Sequence, residues 1–120
     1  MASGLPTPRN VEYALRSSWA QLGIADAHIE LKQYRAAEQT LQKSIADSSA
    51  VLAEGQGNLP VTETELRLWT LLARTQKLQG RDDIASMTEA RRIRQKMEPL
   101  GPSFREAATK IWATYIGKER

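Results

Sequence analysis

Residues 19–23 read WAQLG, and residues 69–73, fifty positions further on, read WTLLA. In both stretches a tryptophan is followed three positions later by leucine and then directly by glycine or alanine. A turn and a second segment of helical periodicity follow each copy, YRAA at 34–37 and DDIA at 82–85. The pattern predicts two helix–turn–helix hairpins in the same order along the chain.

The stretches between the glycines and prolines carry apolar residues at spacings of three and four, the period of an amphipathic helix rather than a strand. We therefore expect an all-α fold, with the 120 residues in a single domain. The expected order is an N-terminal helix over 7–17, a first hairpin over 18–54, a loop over 55–61, a second hairpin over 62–100 and a capping helix over 102–117. The pattern leaves open whether residues 10–31 form one helix or two, because Ser18 begins an S-x-x-Q capping box.

Capping patterns set the expected helix boundaries. Thr7 followed by proline is typical of a helix start. Thr62 and Ser103 each begin an S/T-x-x-E/Q capping box, which predicts two further helix starts. Gly80 and Gly101 are expected to end the helices that precede them, because glycine readily adopts the left-handed conformation of a helix terminus.

The duplicated hairpin resembles the tetratricopeptide repeat, a helix–turn–helix unit with the signature W-x2-L-G-x2-Y…A. The first copy matches at Trp19, Leu22, Gly23, Tyr34 and Ala37. The second copy matches at Trp69, Leu72, Ala73, Gly80 and Ala85. The resemblance covers residues 19–97, although these copies recur at 48 to 50 positions and the family unit is about 34 residues. A bundle of five or six helices without a repeat is the alternative.

Small residues are expected where the helices of a hairpin approach each other. Gly23 or Ala73 suits the first helix of each hairpin, and Ala37 or Ala85 suits the second. A glycine inside a helix costs about 1 kcal/mol relative to alanine, so we expect a packing reason for it. The tryptophans are expected to fill space between neighbouring hairpins. Trp112, at the edge of the last apolar stripe, would be a candidate partner anchor if it were exposed.

The resemblance to tetratricopeptide proteins implies a scaffold or adaptor that binds a peptide or helix of a partner protein. In that family the first helices of successive hairpins line a concave groove. The candidate partner-binding residues are the polar residues of these helices: Gln21, Asp26, His28, Arg67, Arg74 and Lys77. Two hairpins are fewer than the three or more repeats usually needed for stability. This shortfall predicts support from the flanking helices or self-association into a homo-oligomer through an uncapped end.

Basic residues concentrate in the C-terminal half. Residues 1–60 contain 5 Lys and Arg against 6 Asp and Glu, and residues 61–120 contain 12 against 8. The alternative function is therefore a helical module that binds nucleic acid or another polyanion through cations. Its candidate residues are Arg91, Arg92, Arg94, Arg105 and Lys110. We place a nucleic-acid partner second because neighbouring helical residues differ by about 100° and so spread over more than one face.

No motif indicates catalysis, a cofactor or a metal. His28 is the single histidine and cysteine is absent, so we expect no transition-metal site and no disulfide. The acidic pairs Glu63/Glu65 and Asp82/Asp83 stand where helices are expected to begin, and capping explains them. Phosphate loops and local Ser–His–acid patterns are missing. We therefore expect a protein that is not an enzyme.

Composition and hydropathy indicate an ordinary globular chain. The sequence is 41% hydrophobic and 26% charged, which argues against disorder. No apolar run approaches the roughly 20 residues needed to cross a bilayer. The first residues lack the cationic and apolar segments of a secretory signal. We expect a cytoplasmic protein.

Overall fold

Five α-helices make up most of the computed structural model, which describes residues 8–54 and 58–117. The helices are α1 (Pro8–Glu30), α2 (Tyr34–Glu54), α3 (Leu59–Leu78), α4 (Ile84–Met97) and α5 (Pro102–Tyr115), with a one-turn 3-10 helix at Glu98–Leu100. The described residues contain no strand. The expected all-α fold is therefore confirmed.

Helix α1 is continuous through the segment for which the capping pattern allowed a break. Ser18 lies buried in the middle of α1, and its hydroxyl is 3.4 Å from the Oγ of Ser48 on α2 instead of capping a helix. The expected N-terminal helix over 7–17 is thus not a separate element but the first part of α1. The Thr7 cap lies outside the described residues.

Helix α3 begins earlier than its capping box predicts. Asn58 is the N-cap, and its side-chain oxygen accepts a hydrogen bond from the Val61 N–H at 3.4 Å. Pro60 lies in the first turn, where the missing N–H costs nothing. Thr62 is therefore inside the helix, buried, and donates to the Asn58 carbonyl at 3.0 Å. The prediction of a start at Thr62 was wrong because the Asn58–Pro60 signal lies upstream of it.

The remaining helix ends follow local backbone chemistry. Lys32, with a φ of 61°, forms the turn between α1 and α2. Gly80, with a φ of 70°, ends α3 and donates from its N–H to the Lys77 carbonyl at 2.9 Å. Gly101 has a φ of 126° and separates the 3-10 helix from α5. Helix α5 begins one residue before Ser103, at a proline in its first position.

Helix α3 is the centre of the fold and packs against the other four helices. Trp19 of α1 bonds to Thr64 near the start of α3, and Arg74 near the end of α3 bonds to Thr114 near the end of α5. Later in α1, Asp26 lies within electrostatic range of Arg74, and the first turns of α3 and α5 line one pocket, so α1, α3 and α5 run in the same direction. In the described chain α1 and α5 both pack on α3 but not on each other. The surface between them is here named the α1–α3–α5 groove.

The apolar core forms two clusters that meet at α3. One lies among α1, α2 and α3, and the other among α3, α4 and α5. Partly buried Trp69 and Tyr115 contact both clusters. Because a buried leucine contributes roughly 1.5–3 kcal/mol relative to an exposed one, α3 stabilises both halves of the molecule. The largest fully buried apolar side chains are Leu41, Leu52, Leu66, Leu68, Leu71, Ile93, Met97 and Val61.

Only some of the predicted small residues lie between helices. Ala37 and Ala73 are 0% and 1% exposed, as predicted. Ala85 is exposed, and a Cβ added to Gly23 would meet no atom within 4 Å. The packing role predicted for these two residues was therefore wrong. Ala25 takes the fully buried position on α1 instead.

A buried carboxylate ties the two hairpins together. Glu38 of α2 is 2% exposed and pairs with Arg81 in the turn after α3. Its oxygens also accept hydrogen bonds from the side chains of Gln76 at 3.2 Å and Gln79 at 2.9 Å. The amide oxygen of Gln76 in turn accepts a bond from Ser86 at 2.7 Å. Because a buried carboxylate requires such bonds to offset its lost hydration, this network holds α2, α3 and α4 in register.

The threonines of α3 are buried without leaving their hydroxyls unsatisfied. Each donates to the carbonyl four residues earlier, at distances of 2.7 to 3.0 Å. The four residues are Thr62, Thr64, Thr70 and Thr75. The hydroxyl of Thr64 also accepts a hydrogen bond from Trp19. Helix α3 therefore offers this hydroxyl oxygen as an acceptor to α1.

Candidate functional site

A pocket of about 320 Å³ opens in the α1–α3–α5 groove. Helix α1 supplies most of its lining, and α3 and α5 contribute one residue each. The lining residues are Trp19, Leu22, Gly23, Asp26, Arg67 and Tyr115. Apolar and aromatic walls with a few polar groups are typical of a binding site. We name this site the Trp19 pocket.

Trp19 is 60% exposed, and its side chain is hydrogen-bonded to α3. Its indole Nε1 donates to the hydroxyl of Thr64 at 2.8 Å, and that hydroxyl donates to the carbonyl of Pro60 at 2.7 Å. The two bonds hold the indole edge against α3 while most of the ring surface stays in water. A ligand that covers the ring therefore loses little side-chain entropy on binding.

Gly23 keeps the Trp19 pocket open. It lies inside α1, where glycine costs about 1 kcal/mol relative to alanine. Because an added Cβ would meet no atom within 4 Å, no close contact in the described structure requires glycine at this position. A larger side chain, one helical turn after Trp19, would occupy the pocket that both residues line. The glycine thus provides open space for a ligand rather than the helix contact that the sequence pattern predicts.

Asp26 gives the pocket an acidic group in a partly dehydrated position. Burial against the pocket raises the pKa of its carboxyl above the ordinary value of 3.8. Arg74 opposes this rise in pKa most strongly, Glu30 adds to it, and Arg67 opposes it more weakly. Arg74 also donates to the carbonyl of Thr114 on α5 at 3.3 Å. Arg74 therefore attracts the Asp26 carboxylate more strongly than Arg67 does.

Three of the six predicted partner-binding residues lie at this site. Asp26 and Arg67 line the pocket, and Arg74 lies within electrostatic range of Asp26. The sequence prediction selected polar residues only, and so it omitted the exposed ring of Trp19 and the contribution of Tyr115 from α5. The expectation that Trp19 fills space between neighbouring hairpins was wrong, because no helix of the described residues covers its ring, and the side chain is 60% exposed.

The other three predicted residues lie elsewhere on the described surface. Gln21 lines a separate groove between α1 and α2. His28 lies near the first hairpin turn, where its Nδ1 is 2.8 Å from the side-chain oxygen of Gln33. Lys77 is exposed in the last turn of α3. The structure does not bring these three residues into the Trp19 pocket.

Two of the basic residues proposed for polyanion binding are paired with glutamates. Arg92 bonds to Glu89 at 3.0 Å, and Lys110 bonds to Glu106 at 3.2 Å. Arg91 also interacts with other groups of the chain. Surface ion pairs of this kind contribute little to stability, but they reduce the net positive charge that a polyanion would meet.

The other two basic candidates have structural roles at the α4–α5 junction. Arg94 stacks over the ring of Trp112 at 4.6 Å from its centroid. Arg105 donates to the carbonyl of Glu98 at 3.0 Å. Trp112 itself is 4% exposed and belongs to the second core cluster, so it does not meet the condition, exposure, under which it would be a partner anchor. Arg105 and Lys110 are also about 140° apart around α5.

Comparison with known proteins finds no match: no family model, no curated protein and no solved structure is similar to the chain. Among the described residues, no group of three or more His, Asp and Glu side chains is placed to hold a metal ion. None of the helices in the described ranges is long and apolar enough to cross a membrane. A function for the chain must therefore be inferred from the Trp19 pocket itself.

Proposed function

We propose that the chain is a non-catalytic protein-interaction module of tetratricopeptide-like build, which binds a peptide or helix of a partner protein in the α1–α3–α5 groove. Support comes from the shared direction of α1, α3 and α5 and from the pocket that their side chains line. Self-association into a homo-oligomer stays a prediction. The polyanion alternative gains no support from the basic residues, because they interact with other groups of the chain.

The observation that carries this proposal is the combination of an exposed, hydrogen-bonded Trp19 with a Gly23 that meets no neighbour. Folding of the free chain alone explains neither feature. The exposed indole gains little from burial, and the glycine weakens the helix by about 1 kcal/mol. Natural proteins commonly retain residues that stability alone does not favour where binding or activity requires them.

Binding in this groove would use one apolar side chain of the partner as an anchor. The anchor would contact the ring of Trp19, with Leu22 and Tyr115 completing the apolar surface of the pocket. Large apolar anchors in preformed pockets supply most of the binding energy in many interfaces. A helix that binds in a groove is held in the same way, because its apolar face is buried against the groove walls.

The proposal is tested by selecting phage-displayed random peptides on the wild-type chain and measuring each peptide on two variants. Gly23→Leu fills the pocket, and it should also raise the free energy of unfolding by up to about 1 kcal/mol because leucine is the better helix former. We expect selected peptides to bind this variant at least tenfold more weakly, measured by fluorescence anisotropy. A tenfold loss corresponds to about 1.4 kcal/mol of binding free energy.

Ala46→Leu is the matched control, because it adds the same side chain at an exposed position of α2 that does not line the pocket. Peptide affinity should be unchanged in this variant. The proposal would be overturned if selection yields no binders, or if the binders it yields have equal affinity for wild type and for Gly23→Leu. Improved stability together with lost binding separates pocket blockage from unfolding.

A further inference from the structure

We propose that the Trp19 pocket selects a partner segment that carries an apolar side chain within two residues of an acidic one. The inference rests on the proposed function and specifies the chemistry of its ligand. The apolar side chain covers Trp19, and the carboxylate of the acidic residue pairs with Arg67. Trp19 on α1 and Arg67 on α3 line the same pocket.

The preference for an apolar ligand side chain follows from the residues that line the pocket. Trp19, Leu22 and Tyr115 provide aromatic and aliphatic surface, and Gly23 leaves the space between them free. A pocket of about 320 Å³ is at the small end of ligand sites, so it suits one side chain rather than a whole helix turn. Phenylalanine or leucine would gain from leaving water, at roughly 1.5–3 kcal/mol for full burial.

The preference for an acidic ligand residue follows from the charged side chains around the pocket. Asp26 is matched first by Arg74, which opposes the rise in its pKa more strongly than Arg67 does. In the described chain, the guanidinium of Arg67 makes no hydrogen bond or salt bridge, although Arg67 is partly buried and lines the pocket. Asp26 attracts this guanidinium electrostatically without a hydrogen bond in the described residues, so its N–H groups can still donate to a ligand. A ligand carboxylate would accept two parallel hydrogen bonds from it.

A basic ligand side chain is less compatible with this arrangement. A ligand cation that paired with Asp26 would be repelled by Arg67 and Arg74, the two guanidinium groups that already attract this carboxylate, and Glu30 would offset only part of that repulsion. Tyr115 also lines the pocket, and a tyrosine hydroxyl can donate a hydrogen bond to a carboxylate. The charges therefore favour an acidic residue next to the apolar anchor.

Three blocked tripeptides serve as probes: N-acetyl-Phe-Ala-Glu amide, N-acetyl-Phe-Ala-Lys amide and N-acetyl-Ala-Ala-Glu amide. The readout is the indole N–H resonance of Trp19 in the 15N-labelled chain, assigned by its absence in Trp19→Phe. We expect the Phe–Glu probe to bind about three- to fivefold more tightly than the Phe–Lys probe, the range of an exposed ion pair. The Ala-Ala-Glu probe, which has no phenylalanine, should not change the chemical shift of the Trp19 indole N–H.

Charge reversal at Arg67 tests whether this residue is the one that pairs with the ligand carboxylate. Arg67→Glu should invert the preference, so that the Phe–Lys probe binds more tightly than the Phe–Glu probe. Arg35→Glu is the matched control, since it changes the net charge equally at an exposed position of α2 and should preserve the wild-type preference. Inversion cannot result from unfolding, because an unfolded variant would bind neither probe.

Two outcomes separate failure of this inference from failure of the proposed function. Equal affinities for the two charged probes, or a preference for lysine in the wild type, would overturn the acidic specificity and leave groove binding intact. If no phenylalanine probe moves the Trp19 resonance at millimolar concentration and the peptide selection also fails, both proposals are overturned.

Discussion

The two copies of the tryptophan motif have matching residues but different surroundings. Trp19 is 60% exposed, whereas Trp69 is partly buried and contacts both core clusters. Gly23 has open space beside it, whereas Ala73 is 1% exposed. The comparison shows that one local pattern can form a binding wall in one hairpin and part of the core in the next.

The position of each copy in the stack explains the difference. Helix α3 has α1 and α2 on one side and α4 and α5 on the other, whereas α1 packs only on α2 and α3 in the described chain. The leucine of the motif faces inward in both copies, at 7% exposure for Leu22 and 3% for Leu72. The motif thus determines an inward leucine, and the number of neighbouring helices determines whether the tryptophan is covered.

The largest effect is expected when each tryptophan is replaced by alanine. Trp69→Ala should lower the free energy of unfolding by about 3 kcal/mol, because it leaves a cavity between the two clusters. Trp19→Ala should lower it by about 1 kcal/mol, mainly through the lost hydrogen bond to Thr64. Urea denaturation followed by circular dichroism measures both. Equal losses would contradict the difference in surroundings.

A smaller effect is expected from removing the acceptor that orders Trp19. Thr64→Val should lower the free energy of unfolding by about 1 kcal/mol and increase the motion of the Trp19 indole in 15N relaxation. Thr75→Val is the control, because Thr75 makes the same 2.7 Å bond to a carbonyl four residues earlier but has no tryptophan partner. Indole motion that is the same in both variants would show that Thr64 does not order Trp19.

The smallest effect concerns Asp26, whose counterpart fifty residues later, Gln76, belongs to the buried Glu38 network. Because burial raises the pKa of Asp26 above 3.8, the folded chain binds more protons than the unfolded chain just above that pH. Stability therefore falls as pH rises through this range. Asp26→Asn removes the charged form and should modestly stabilise the chain at neutral pH.

Measuring the free energy of unfolding of wild type and Asp26→Asn across pH tests the predicted direction of this stability change. Below the unfolded pKa the carboxyl is protonated in both states, so the two chains should have equal stability at about pH 2.5. At neutral pH the asparagine variant should require more urea to unfold. A variant that is less stable at neutral pH would show that attraction by Arg74 outweighs dehydration.

Helix identity was predictable because the relevant signals are local. The spacing of apolar residues and the glycine at position 80 act within a few positions of the chain. Helix starts were less predictable because several capping signals compete: Asn58 begins α3, although Thr62 carries the more familiar pattern. The site was predictable in part, since Arg67 and Asp26 were selected as polar residues on the correct helix faces.

By itself, the sequence determined the all-α class, the two hairpins and the turn at Gly80, because periodicity and backbone preference are properties of short segments. Only the tertiary structure decided that Trp19 stands exposed beside an empty space at Gly23 while Trp69 joins the core. The reason is that a side chain's burial depends on which distant helix lies across it. In this chain α5 lies beside α3, and no helix of the described residues occupies the equivalent place over the pocket.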